Sequence, residues 1–146
     1  MALTQKGKFH YGDTRADIRE ELARYSVLNG YPTAHFADAV CLCGNHVFGL
    51  LLDDTEGAAV RECPRCGLEH PIGDSVEYLE DATLEVCECP CGAGLFEITI
   101  GVALHADSED VRWFYVGCRC PQCSLTACYG DWKSDSGSWL ILLDNV

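Results

Sequence analysis

Cys63-Pro64-Arg65-Cys66-Gly67 decides how this chain folds. Two cysteines three apart, with proline after the first and glycine after the second, form a tight knuckle. Its backbone N–H groups can point at both sulfurs, which favours thiolate and aims the pair at one cation. A tetrahedral Zn²⁺ takes four such ligands, so one knuckle is half a site. The other half stands earlier in the chain, at Cys41-Leu42-Cys43-Gly44. The same order of half-sites returns at Cys89-Pro90-Cys91-Gly92 and Cys120-Pro121-Gln122-Cys123. The spacing predicts two closed four-sulfur sites, Cys41, Cys43, Cys63, Cys66 and Cys89, Cys91, Cys120, Cys123, with two structural zinc ions per chain.

The repetition extends beyond the ligands. Superposing Cys41 and Cys43 on Cys89 and Cys91 puts Gly44 on Gly92 and the alternation Phe48/Leu50/Leu52 on Phe96/Ile98/Ile100. Superposing the later knuckles puts Cys63-Pro64 on Cys120-Pro121, Cys66 on Cys123 and Gly73-Asp74 on Gly130-Asp131. Such coincidences mark an internal duplication. The second unit has the longer hairpin, with 28 residues between Cys91 and Cys120 against 19 between Cys43 and Cys63.

Local patterns fill in the elements. Residues 1–13 read as an irregular arm. Thr14-Arg15-Ala16-Asp17 has the form of a capping box with Asp in the Glu/Gln place. Ile18, Leu22 and Tyr25, then Val27 or Leu28, form a stripe at helical spacing, stopped by Asn29-Gly30. This predicts a helix over 15–28 that packs on the rest of the domain. His35–Leu42, Val47–Asp53 and Gly57–Glu62 read as strands, with Asp53-Asp54-Thr55-Glu56-Gly57 as a hairpin turn. Leu68–Asp74 and Val76–Leu79 supply a further strand and a connection. In the second unit Leu95–Leu104 and Val111–Val116 are strands around the turn Asp107–Asp110. Ser138–Leu143 reads as a closing strand. Gly73-Asp74 and Gly130-Asp131 read as turns. The expected fold is mainly β with one N-terminal helix, a small α+β protein. It has an arm and helix over 1–33 and two metal-binding units over 34–80 and 81–146 that share a core.

Composition narrows the setting. Eleven cysteines in 146 residues is an odd count, and the lysines of the first residues have no apolar stretch behind them. A reduced, cytoplasmic chain that binds metal is therefore expected, in place of a secreted disulfide framework. No apolar run approaches membrane-spanning length. The formal charge is −13 and uneven: residues 1–30 carry five basic and four acidic side chains, the remainder five and nineteen. Four thiolates around a divalent ion add two further negative charges per site. Such a body repels phosphate backbones, so nucleic acid is the less expected partner and a basic protein the more natural one.

Other residues carry two readings. His46 and His70 follow the first unit's half-sites and are alternative ligands, although Gly94 and Ala127 stand at the matching offsets in the second. Cys87 and Cys118 each lie two before a ligand. They are either small core side chains or a redox pair or alternative ligands, and Cys128 reads as strand core. Arg65 at the first knuckle's tip is a possible partner contact, and Arg119 beside the second either a contact or an internal ion-pair partner. Trp113, Phe114, Tyr115, Trp132 and Trp139 either fill a thin core or form a binding face. A zinc deaminase would need Pro-Cys-x-x-Cys with an upstream His-x-Glu, and the chain has neither. It also lacks a phosphate-binding glycine loop and a nucleophile elbow. No enzyme signature is present.

With its knuckle at Cys63-Pro64-Arg65-Cys66-Gly67 and the half-sites that accompany it, the chain resembles the zinc-ribbon group, whose knuckles are like those of rubredoxin. It is also similar to small bacterial proteins with two such ribbons. The resemblance covers about residues 34–133 and departs from the commonest pattern in using Cys-x-Cys for the first half of each site. It implies metal and local fold, and no single function. The expectation is a non-catalytic, zinc-stabilised, acidic protein that binds a basic protein, as an immunity- or antitoxin-like inhibitor or an adaptor. A nucleic-acid-binding regulator and a thiol redox switch are the alternatives.

Overall fold

The hairpins expected between half-sites are the centres of two antiparallel sheets in the computed structural model, which describes residues 3–135 and 137–146. In chain order the elements are β1 (Thr4–Lys6), β2 (Phe9–Tyr11), α1 (Asp17–Asn29), β3 (His35–Asp38), β4 (Gly49–Asp53), β5 (Ala58–Glu62) and β6 (Glu69–Pro71). After a 3₁₀ turn at Ser75–Glu77 come β7 (Glu85–Val86), β8 (Glu97–Leu104), β9 (Val111–Arg119), β10 (Leu125–Lys133) and α2 (Trp139–Leu143). The larger sheet runs β1-β2-β10-β9-β8-β3 and the smaller β6-β5-β4-β7.

The duplication is exact at the level of register. Gly49 pairs with Glu62 and Leu50 with Arg61; the matching residues Glu97 and Ile98 pair with Arg119 and Cys118. On the far side Arg61 pairs with His70, as Cys118 does with Ala127. The units also exchange strands. β3, which leads into the first Cys-x-Cys, pairs with β8 of the second unit (Asp38 opposite Thr99), and β7 pairs with β4 of the first (Val86 opposite Leu51). At the centre of this exchange Phe48 and Phe96, matching residues, bond each other's backbone both ways at 2.8 and 2.7 Å. That reciprocity marks a local pseudo-twofold axis. Short strands that cannot bury a face alone thereby form one core, in which Phe48, Leu50, Phe96, Ile98, Ile100, Phe114 and Val116 are all buried.

α1 covers the opposite face of the larger sheet. Ile18 and Leu22 are fully buried there with Tyr115. Glycines make the room: a Cβ on Gly117 would lie 2.5 Å from Ile18 Cγ2. At the helix start the Asp17 carboxylate accepts the N–H groups of Asp13 and Thr14, which is the reach-back half of the expected capping box. Gly30, with φ 91°, ends the helix in the left-handed conformation.

Several expectations are corrected. The stripe does not continue to Val27 and Leu28, which are exposed; Ser26 is buried instead and Asn29 donates to the Tyr115 hydroxyl. The arm is not irregular, because its described part forms the β1–β2 hairpin and extends the sheet edge beside β10. Gly130-Asp131 is no turn. It lies inside β10 just past a bulge, and Asp131 accepts from Tyr25 and Trp113. Gly73-Asp74 does turn, with Gly73 at φ 65°. Ser138–Leu143 is not a strand: the Ser138 hydroxyl caps Leu140 N–H and starts a short helix. A five-residue apolar run has no readable period, so the cap and the burial of Leu142 decide. The aromatic residues pack inward, with Phe114 stacked on Trp132, Trp113 on Tyr31 and Trp139 on His35. No helix among the described residues is long and apolar enough to cross a membrane.

Candidate metal centres

Each half-site is a turn whose geometry the sequence sets. In the first halves Gly44 N–H donates to Cys41 C=O and Gly92 N–H to Cys89 C=O, both at 2.8 Å, with φ of 92° and 95°. In the later halves Gly67 N–H returns to Cys63 C=O and Ser124 N–H to Cys120 C=O. Gly67 sits at φ 80°, and Ser124 takes the same left-handed conformation at 73° without being glycine.

The structure brings together the two expected quartets. Within each, the four sulfurs lie inside 4.8 Å of one another. Cys41 and Cys66 are 3.5 Å apart and Cys43 and Cys63 3.7 Å; the matching pairs Cys89–Cys123 and Cys91–Cys120 give 3.5 and 3.7 Å. A metal held at about 2.3 Å by four tetrahedral sulfurs gives edges of about 3.8 Å. Both clusters can therefore each hold a metal ion. In each, two ligands are buried and two face outward or nearly so.

Electrostatics push the thiols of each quartet in both directions. The Cys43 N–H pulls the Cys41 thiol down, and the Ala93 N–H pulls Cys91 down. Cys66 receives the Leu68 N–H yet is pushed up to about 11, because hydrogen bonding with Cys41 and the other thiols opposes a further charge beside them. Four sulfurs so placed repel as anions, and a divalent cation resolves the repulsion.

The surroundings of the two centres differ. Beside the first, Asn45 Nδ2 lies 3.4 Å from Cys63 Sγ. The guanidinium of Arg61, buried to 4 % exposure, acts electrostatically with Cys41, Cys63 and Cys66. It lies over the Phe48 ring at 4.6 Å, and its Nε donates to the main-chain oxygen of Val146 at 2.8 Å. Beside the second, the residue matching Arg61 is Cys118, fully buried and neutral; burial pushes its thiol well up. Tyr129 tilts against Phe96 and faces Cys89.

The histidines stand outside both quartets. His46 Nδ1 is 3.8 Å from Glu97, and His70 Nε2 is 3.1 Å from the Asn145 carbonyl. Cys87 and Cys118 are near enough to interact, as their common offsets predict, and both are free thiols. Burial raises Cys87 to about 11 and Cys128 still further, so these thiols stay protonated at neutral pH. Arg65 is exposed, and its guanidinium has no ion pair among the described residues, whereas Arg119 pairs internally with Glu97 at 2.8 Å. Sequence reasoning missed Arg61 and Tyr129. Their only signal was a position in the repeat, one residue inside a strand where the other unit carries a different type. No protein-family model, curated protein or solved structure matches the chain.

Proposed function

We propose that this chain is a non-catalytic protein built on a duplicated zinc ribbon, with a structural Zn²⁺ in each quartet and an acidic surface that binds a basic protein. The observation that carries the reading is the match between the two quartets: all-sulfur, equal in geometry, and set into a shared core. Such closed sites leave no ligand position for chemistry, and each contributes on the order of 10 kcal/mol to folding. An inhibitor of the immunity or antitoxin kind, or an adaptor, fits a body of this charge.

A groove of about 430 Å³ between the 3₁₀ turn and α2 supports a contact surface. Its walls include Val76 and Ile141, 63 % and 76 % exposed, and its rim carries Asp74, Glu77 and Asp144. Apolar walls with an acidic rim suit a basic segment that presents apolar side chains. Elemental analysis is expected to find two zinc ions per chain. A native-lysate pull-down is expected to retain basic proteins that a Glu77→Lys/Asp144→Lys variant releases. Retention of nucleic acid at physiological salt, with no protein partner, reverses the reading in favour of a nucleic-acid regulator.

A further inference from the structure

The two quartets match in residue type and geometry, but among the described residues only the first is faced by a buried cation. Arg61 is held at 4 % exposure, and its Nη1 has no hydrogen-bond partner. A buried guanidinium nitrogen left unpaired is costly. The guanidinium is itself fixed by the Phe48 ring and the main-chain oxygen of Val146, which leaves its Nη1 little freedom to seek a partner elsewhere. Burial opposes its charge most, and against that act Cys41, which also hydrogen-bonds the guanidinium, then Cys63 and Cys66. A filled four-thiolate centre carries two net negative charges, which is what this nitrogen lacks.

Among the described residues the second centre has no equivalent. Cys118 occupies the matching place, as its pairing with Ile98 mirrors that of Arg61 with Leu50. A cysteine there supplies no cation. The nearby cation Arg119 is committed to Glu97 at 2.8 Å and to the Gly12 carbonyl. The amide that Asn45 turns to Cys63 has no counterpart either, since Ala93 stands there.

We infer that Arg61 is a positioning residue for the first centre that makes the pair unequal: the Cys41, Cys43, Cys63, Cys66 centre retains its divalent ion, while the Cys89, Cys91, Cys120, Cys123 centre is the one that exchanges. The inference rests on the reading that both quartets bind metal. A cation beside a thiolate centre stabilises the negatively charged, metal-bound form, and partners of this kind change metal affinity by about 10–100-fold.

The full chain loaded with two equivalents of Zn²⁺ is titrated with EDTA, and the cysteines exposed at each step are trapped with N-ethylmaleimide and mapped by mass spectrometry. In the wild type, release is expected in two steps, with Cys89, Cys91, Cys120 and Cys123 modified first. Arg61→Gln is expected to weaken the first centre by about 10–100-fold and to remove or reverse the order, and Arg61→Lys, which keeps the charge, to preserve it. Simultaneous release in the wild type, or first modification of Cys41, Cys43, Cys63 and Cys66, overturns the inference even if the variants fail to fold. An unchanged order in a folded Arg61→Gln protein overturns it as well. Failure to load any Zn²⁺ overturns instead the underlying metal-binding reading.

Discussion

The two units share a hairpin, a cysteine quartet and a register, yet each is finished differently. In the second, α1 lies on the outer face and Gly117 leaves space for Ile18 and Leu22. In the first, the residue at that place is Val60, and the face is covered by Leu79 and Leu84 from the connecting segment around a cavity of about 370 Å³. At the metal the contrast is Arg61 against Cys118, and over the central phenylalanines it is Arg61 against Tyr129. The duplicated scaffold thus keeps the paired phenylalanines and the two cysteine quartets. It diverges where an outside segment or a second-layer contact is free to differ.

The largest test of that comparison is loss of one ligand. Cys41→Ser and Cys89→Ser each remove a centre worth on the order of 10 kcal/mol. Because strands are exchanged between units, either variant is expected to lose near-UV circular dichroism over the whole chain; selective melting of one unit would break the shared-core account. Next come the axial rings. Phe48→Ala and Phe96→Ala are expected to cost about 3–5 kcal/mol each by chemical denaturation, and the double variant less than their sum, since the two residues touch.

Gly117→Ala is expected to cost about 1–3 kcal/mol through overpacking against Ile18, with α1 showing the fastest rise in amide exchange. If exchange in α1 stays unchanged, the close approach does not govern helix docking. The smallest effect concerns the turns. The Asp53 carboxylate is held below its ordinary range first by the Thr83 N–H, then by those of Glu56 and Thr55. Its contribution is full above the unfolded value of about 3.9 and fades as pH falls through the lower folded value. A carboxyl NMR titration of Asp53 is expected to give a midpoint below 3.9; a midpoint at or above it removes the turn's role.

Much of this was legible because metal ligation and hairpins are local. Ligand spacing, the turn at Asp53–Gly57 and the helix stop at Gly30 each depend on a few neighbouring residues, and all are found in the fold. The misses are non-local. Ser138–Leu143 is a short apolar run whose state depends on the surface it meets, and Gly130-Asp131 is set in β10 by pairing with Val116 and Tyr115. Val27 and Leu28 lie on the exposed side, while Ser26 is buried against Thr33 and Asn29 reaches the Tyr115 hydroxyl of the sheet.

By itself the sequence determined that eight cysteines form two equivalent quartets on duplicated hairpins, because thiolate geometry and knuckle turns are written in adjacent residues. Only the tertiary structure decided that the units exchange β3 and β7, that Phe48 meets Phe96, and that Arg61 faces one centre while Cys118 sits by the other. Those facts depend on which strand edges and buried charges meet across distant chain, and no spacing rule encodes that meeting.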